Sequence, residues 1–169
     1  MSTQGPSTSS PSYSSSNPRW IFDVFLSLRG VDTRNTFGNL LYAALKHRGV
    51  LTFYCYEVVE RGRSIPVEIF KAIEGSRIAI VIFSRNYAYS TWCLDELTKI
   101  IECSKTKGMT VLPVFYYVDP FDVRNQTGTF AQAFAEHEER FMDSIEKVES
   151  WRAALREVAN LSGWLVQDG

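Results

Sequence analysis

Ile21-Phe22-Asp23-Val24-Phe25-Leu26-Ser27-Leu28 is a nearly continuous apolar run. A strand in the middle of a parallel sheet reads this way, because both of its faces are covered and neither alternates with water. The stretch after it changes period. Over 36–46 the apolar residues Phe37, Leu40, Leu41, Ala44 and Leu45 form a helical stripe, and Gly49 supplies the stop. Residues 50–54 read as a second short strand. The charged stretch 57–64, which holds Gly62, reads as a loop, and Pro66 suits the first turn of a helix running to about Glu74.

The alternation continues. Ile78-Ala79-Ile80-Val81-Ile82-Phe83 is a third buried strand, 91–104 a helix, and 110–116 a fourth strand. Pro113 costs that strand one ladder hydrogen bond, so one side is expected to be unpaired there. Asp119-Pro120 opens a loop, helices follow over 129–141 and 144–160, and Trp164-Leu165-Val166 reads as a short fifth strand. Strands alternating with helices imply a parallel sheet joined by right-handed crossovers. The expected fold is α/β: a flavodoxin-like, doubly wound, five-stranded parallel sheet with helices on both faces. In that architecture ligands bind beyond the carboxyl ends of the strands, so the loops after Leu28, Tyr54 and Phe83 face the expected site.

Residues 1–18 are Ser, Thr, Pro and Gly with almost nothing apolar. Such a segment cannot bury enough surface to offset its ordering entropy, so it is expected to be a disordered tail ahead of one domain over 19–169. A formal net charge of −1 gives no global field toward nucleic acid or an anionic membrane. The cysteines Cys55, Cys93 and Cys103 have neither metal nor redox spacing and read as reduced thiols. No run approaches the roughly 18 apolar residues of a membrane span, and the N-terminus shows no signal pattern. These features together suggest the cytoplasm, with the nucleus as a second compartment. No metal and no cofactor are expected.

Four segments carry a family resemblance. They are 23–34 (Asp23-Val24-Phe25-Leu26-Ser27-Leu28-Arg29-Gly30-Val31-Asp32-Thr33-Arg34), 72–78 leading into the third strand, 87–97 with Ser90-Thr91-Trp92-Cys93-Leu94-Asp95-Glu96-Leu97 at its core, and 118–128 starting Val118-Asp119-Pro120. In order and spacing they resemble the TIR domain of plant intracellular disease-resistance receptors of the TIR-NBS-LRR type, over about residues 20–166. The resemblance implies a module that self-associates through homotypic TIR–TIR contacts and signals in plant innate immunity and defence cell death. It also implies hydrolysis or cyclisation of NAD+ with release of nicotinamide. NAD+ is then a substrate rather than a cofactor, and NADP+ an alternative one. Such a domain usually precedes a nucleotide-binding and leucine-rich-repeat region. The chain departs from the family pattern at Leu28, where Phe is common, and at Val31, where Glu is common. It departs again at Cys55-Tyr56, where an acidic pair is common, and at Asn39-Leu40, where some members carry a Ser-His pair.

By the same resemblance Glu96 is the catalytic residue. The chemistry suits a carboxylate: breaking the bond from ribose to nicotinamide builds positive oxocarbenium character on the sugar, which a nearby anion stabilises. Spacing alone gives a plainer reading, a solvated acid paired along the helix with Lys99. Trp92, four residues earlier, shares a helical face with Glu96 and is either a core residue or a wall of the site. Arg29-Gly30 follows the first strand; Gly30 lets a ligand approach the backbone and Arg29 offers a fork for phosphate, or the two are a turn and a surface charge. Arg61 either closes over the ligand from its loop or stays solvated. Arg34 is expected to pair with Asp32 or a neighbouring acid. Cys93 is expected in the core, without a histidine base.

No G-x-G-x-x-G follows the first strand, which argues against hydride transfer. A phospho-receiver needs an Asp at the end of the third strand, where this chain has Phe83-Ser84. The competing function is a non-catalytic self-association module with Glu96 structural, and nucleic-acid processing is disfavoured by the charge. The helices over 36–46 and 144–160, or their copies across a symmetry axis, are expected to form one self-association surface.

Overall fold

The strands β1 (Phe22–Leu28), β2 (Thr52–Tyr54), β3 (Ser76–Phe83), β4 (Thr110–Tyr116) and β5 (Trp164–Val166) form one sheet in the order β2-β1-β3-β4-β5. Every neighbouring pair is parallel. The computed structural model describes residues 20–54 and 65–168. The expectations placed on the 1–18 tail, on Cys55-Tyr56 and on Arg61 lie outside the described residues.

The order follows from the chain path. From β1 the chain passes to the edge strand β2, then crosses back over β1 to β3 and proceeds outward to β4 and β5. The direction of winding reverses between β1 and β3, so this doubly wound sheet has its switch-point crevice beyond their carboxyl ends. The apolar opening run explains why β1 is central: Val24, Phe25, Leu26 and Ser27 are all buried.

Seven helices are described: α1 (Gly30–Thr33), α2 (Asn39–His47), α3 (Val67–Glu74), α4 (Thr91–Lys107), α5 (Pro120–Asn125), α6 (Thr129–Arg140) and α7 (Ile145–Ala159). Helix α4 is bounded by local chemistry. Ser90 Oγ accepts from Cys93 N at 3.2 Å as the N-cap, and Gly108 at φ 73° takes the left-handed C-terminal position. Among the described residues no helix is long and apolar enough to cross a membrane.

Two stretches differ from expectation. Asp119-Pro120 starts a helix rather than a loop: Asp119 Oδ1 accepts from Phe121 N at 2.9 Å, and Pro120 sits at the first helical position, where its missing N–H costs nothing. The 36–46 helix is broken. Arg34–Gly38 is a π-turn with Thr36 at φ −130° and ψ −112°, and the regular helix begins only at Asn39. From that start Leu41 and Tyr42 reach the sheet half-buried while Leu40 is 71% exposed, so the stripe faces no deep core. Pro113 pairs in register with Val81, and β5 joins the other side only from Val114 onward. The missing N–H thus falls just outside the β5 ladder. The chain enters that strand at Gly163, where a Cβ would stand 2.2 Å from the Pro113 carbonyl oxygen.

The sheet is covered unequally. On one face Phe25, Val81 and Phe83 pack with Ile73, Leu97 and Trp151 from α3, α4 and α7 in the main core. On the other, Leu26, Tyr54, Ile82 and Val114 are covered by Phe37, Leu41 and Tyr42 at and before α2. Helices α2 and α7 therefore lie on opposite faces of the sheet. The expectation that the two build one surface within a single chain is overturned, because the packed sheet stands between them.

Candidate active site at the β1–β3 switch point

Three elements meet where the winding reverses. Strand β1 ends in Ser27-Leu28 and continues into Arg29; β3 leads through Ser84 to a 3-10 turn, Tyr87–Tyr89; and α4 follows at once. Ser27 has a hydroxyl in an otherwise apolar, fully buried strand. Its Oγ donates to Glu96 Oε2 at 2.7 Å and lies 2.9 Å from the Tyr87 hydroxyl. The Tyr87 hydroxyl in turn donates to the Cys93 carbonyl at 3.1 Å. Cys93 Sγ reaches the Leu28 carbonyl at 3.6 Å, closing α4 onto the end of β1.

Glu96 is 7% exposed, so it is not the solvated acid that its spacing allows. Lys99 does not engage it; its ammonium pairs with Glu74 at 2.9 Å and Glu102 at 3.4 Å. The neighbouring Asp95 accepts from Trp151 Nε1 at 3.0 Å. Burial pushes the Glu96 carboxyl up to about 8; the Ser27 hydrogen bond opposes the rise and Asp95 adds to it. Desolvation wins over the hydrogen bond because one donor cannot replace the water a carboxylate loses. The same burial, with Glu96 nearby, holds the Cys93 thiol and the Tyr87 phenol protonated, well above their ordinary ranges. A thiolate nucleophile at Cys93 is thereby disfavoured, and His137, which could have served a thiol, is committed to the Ala88 carbonyl at 2.7 Å.

A second set of contacts spans the crevice. Asp32 accepts from Ser84 Oγ at 2.5 Å, from Asn86 N at 2.9 Å and from Asn86 Nδ2 at 2.8 Å. The loop after β1 is thus tied to the loop after β3. Asp32 is used in this way, and the Arg34 guanidinium lies against the Tyr54 phenol, lowering a phenol pKa that burial raises. Of the two expected partners for Arg34, Asp32 is engaged by Ser84 and Asn86 instead.

Residues 21–169 match the model of the TIR domain. The chain belongs to the TIR domain family. It is 54% identical over 150 residues to the TMV resistance protein N of Nicotiana glutinosa, covering 89% of this chain and 13% of that protein. It is 51% identical over 168 residues to the disease resistance protein RPV1 of Vitis rotundifolia, covering 99% of this chain and 12% of that protein. The chain therefore spans about an eighth of the length of these relatives. Among solved structures it resembles the TIR domains of the activated Roq1 resistosome, which directly recognizes the pathogen effector XopQ. There the TM-score is 0.79 at 50% identity, with 85% of this chain and 87% of that one covered.

In this TIR domain the sequence-derived site residues fare differently. Glu96 stands at the switch point, anchored to β1. Trp92, one turn earlier on α4, is 7% exposed and belongs to the main core cluster. Arg29 is half-buried and close enough to Cys93 for its charge to act on the thiol. The space a Gly30 side chain would fill is taken by the chain itself: a Cβ there would lie 2.9 Å from an Arg34 guanidinium nitrogen. Gly30 thus admits Arg34 in the structure described. Arg61 lies outside the described residues. Sequence reasoning missed Ser27, Tyr87 and Asp32 as members of the site. A lone hydroxyl in a doubly buried strand was the available signal for Ser27; nothing local marked Tyr87.

Farther along the same carboxyl edge, beyond β4 and β5, lies an open cavity of about 360 Å³ lined by Tyr117, Val118, Asp119, Pro120, Leu165 and Gln167. Glu96 does not line it.

Proposed function

We propose that this TIR domain cleaves the N-glycosidic bond between ribose and nicotinamide of NAD+, with NADP+ as an alternative substrate, and that Glu96 is the residue on which the reaction depends. The observation that carries the reading is a carboxyl group with a strongly raised proton affinity, placed by Ser27 at the switch point of a doubly wound sheet. Perturbed titration and this position together make Glu96 a functional-group candidate. Ionised Glu96 stabilises the positive charge that builds on the ribose as the C1′–N bond lengthens. The bonding pair goes to the pyridinium nitrogen, so nicotinamide leaves neutral. Water adds to C1′ and gives up a proton, or a nucleophile within the substrate closes a ring. Arg29 supplies positive charge for the phosphates, and Arg61 and Trp92 are proposed as further contacts.

The activity is proposed to switch on by homotypic TIR–TIR association and to serve plant immune signalling and defence cell death, in the cytoplasm or nucleus. The similarity to disease-resistance proteins and to the TIR domains of a resistosome supports this. No membrane or nucleic acid is required.

A second reading has its own support. At 7% exposure, with an oxygen already held by Ser27, Glu96 also suits a purely structural polar core in a non-catalytic association module. Nicotinamide release by clustered wild-type protein and Glu96→Ala, each checked for folding by circular dichroism, separates the two. Release by wild type alone supports the enzyme. Equal release from both moves the role elsewhere, and release from neither favours the module.

A further inference from the structure

We infer that Ser27 and Tyr87 are positioning residues for Glu96: their hydroxyls form a relay that points Oε2 and reverses its hydrogen-bond direction when the carboxyl loses its proton. The consequence for rate rests on the proposed NAD+ cleavage, whereas the relay itself does not.

Counting protons makes the argument. The relay has three contacts: Glu96 Oε2 to Ser27 Oγ at 2.7 Å, Ser27 Oγ to the Tyr87 hydroxyl at 2.9 Å, and the Tyr87 hydroxyl to the Cys93 carbonyl at 3.1 Å. Each contact needs one proton. With Glu96 neutral there are three: the carboxyl donates to Ser27, Ser27 to Tyr87, and Tyr87 to Cys93. With Glu96 ionised only two remain. Ser27 then turns to donate to the carboxylate, and Tyr87 serves either Ser27 or Cys93, so one contact goes unmade. Ser27 and Tyr87 are both 0% exposed, so water does not replace the missing bond.

Counted as contacts the two losses are alike, two from the neutral form and one from the ionised form. They differ because the bond that Ser27 gives the carboxylate is charge-assisted, and on that ground the two hydroxyls act in opposite senses. Ser27 is the only donor to the carboxylate among the described residues, and its loss removes a charge-assisted hydrogen bond from the ionised form. Tyr87 lets the neutral form complete its chain, and its loss removes the advantage of that form. The other groups facing Glu96 are Cys93 and Asp95 on its own helix; Arg29 and Asp32, from the segment after β1, act on Cys93. Asp95 is held from α7 by Trp151. The two substitutions leave these side chains in place; Tyr87→Phe removes the hydrogen bond to the Cys93 backbone carbonyl. The second oxygen, Oε1, has no hydrogen bond among the described residues, so the relay holds one oxygen and leaves the other for a ligand.

The test is a carbon-detected NMR titration of protein labelled at the glutamate side-chain carboxyl, without NAD+, from pH 4.5 to 9.5. The Glu96 signal is assigned by its loss in Glu96→Gln. The midpoint is expected to move up by about one unit in Ser27→Ala and down by about one unit in Tyr87→Phe. If Ser27→Ala fails to fold, the downward shift in Tyr87→Phe carries the test alone. Unmoved midpoints, or shifts in one common direction, overturn the relay. A pH profile of nicotinamide release by the same clustered proteins is the second arm. Midpoints that follow the NMR values support both ideas. NMR shifts with no matching change in the rate profile support the relay and sink the NAD+ reading instead.

Discussion

The hydroxyl of Ser27 and the carboxyl of Glu96, distant in sequence, meet at 2.7 Å where β1 ends against α4. That bond seats an acid inside a folded domain at the reversal point of its sheet. It does not offset the desolvation the acid suffers there. Most of what is expected of this TIR domain follows from that imbalance.

Stability should fall with rising pH through this group. The folded-state value of about 8 lies above the ordinary 4.5, so between the two the folded state binds more protons than the unfolded one. The stabilisation is complete below about pH 4.5 and is lost as pH climbs through 8. Glu96→Gln cannot ionise and keeps an oxygen for Ser27. Its melting temperature is expected to exceed wild type at pH 8, by the equivalent of about 4 kcal/mol, with the gap narrowing to below about 1 kcal/mol at pH 5. Calorimetry at both pH values checks it, and an equal gap at each would count against a buried, titrating carboxyl.

Catalysis should respond in the opposite direction. In the proposed reaction the ionised carboxylate is the active form, so nicotinamide release is expected to rise from pH 6 to 9. Glu96→Ala should lose roughly 100- to 1,000-fold, as for removal of one preorganised electrostatic contact. Glu96→Gln should be nearly as slow despite its greater stability. A flat pH profile in the clustered wild type would contradict this.

Asp32 should matter for the shape of the crevice. Asp32→Ala removes three hydrogen bonds to Ser84 and Asn86 at once. The expected cost is about 2–4 kcal/mol, since three donor groups on two buried or half-buried residues lose a charged acceptor. Hydrogen exchange should quicken at Asn86 and through Tyr87–Tyr89, with α7 unaffected.

Association should run through α2 without α7 on the same surface. Leu40 is 71% exposed on that helix, and a contact built on so small a patch is weak. Leu40→Glu is expected to lower the light-scattering mass at high concentration while leaving the unfolding free energy within ~0.5 kcal/mol of wild type. An unchanged mass would move the self-association surface elsewhere.

Gly163→Ala should loosen β5. Its methyl would meet the Pro113 carbonyl oxygen at 2.2 Å, and backbone on both sides must shift, for about 1–3 kcal/mol. Faster exchange confined to Trp164–Val166 is the expected signature.

The fold was legible because the sheet is parallel and buried. Runs such as Ile78–Phe83, apolar on both faces, have few other homes, and their alternation with helices implies a parallel sheet. The break at Thr36 was not legible, since apolar spacing continues through it while the backbone does not. Asp119-Pro120 reads as the opening of a loop, although the same pair caps a helix equally well. At the candidate site, the family resemblance made Glu96 the expected catalytic residue, and spacing alone gave it a lysine partner that packing withheld. Ser27 and Tyr87 act through contacts between residues far apart in the chain, which no local pattern encodes. The assignment of one surface to 36–46 and 144–160 within a single chain failed because face is decided by the path of the chain around the sheet.

Adjacent carboxylates hold α4 from two directions. Asp95 takes a bond from Trp151 on α7, and Glu96 takes one from Ser27 on β1. One anchor resists sliding of the helix away from its neighbour, the other resists its lifting from the strand. A helix pinned at consecutive residues to two different elements has little rigid-body freedom left. Turning such a domain from silent to active by displacing α4 would break both anchors together, so the economical route is to leave the helix still and change what approaches the unheld oxygen of Glu96.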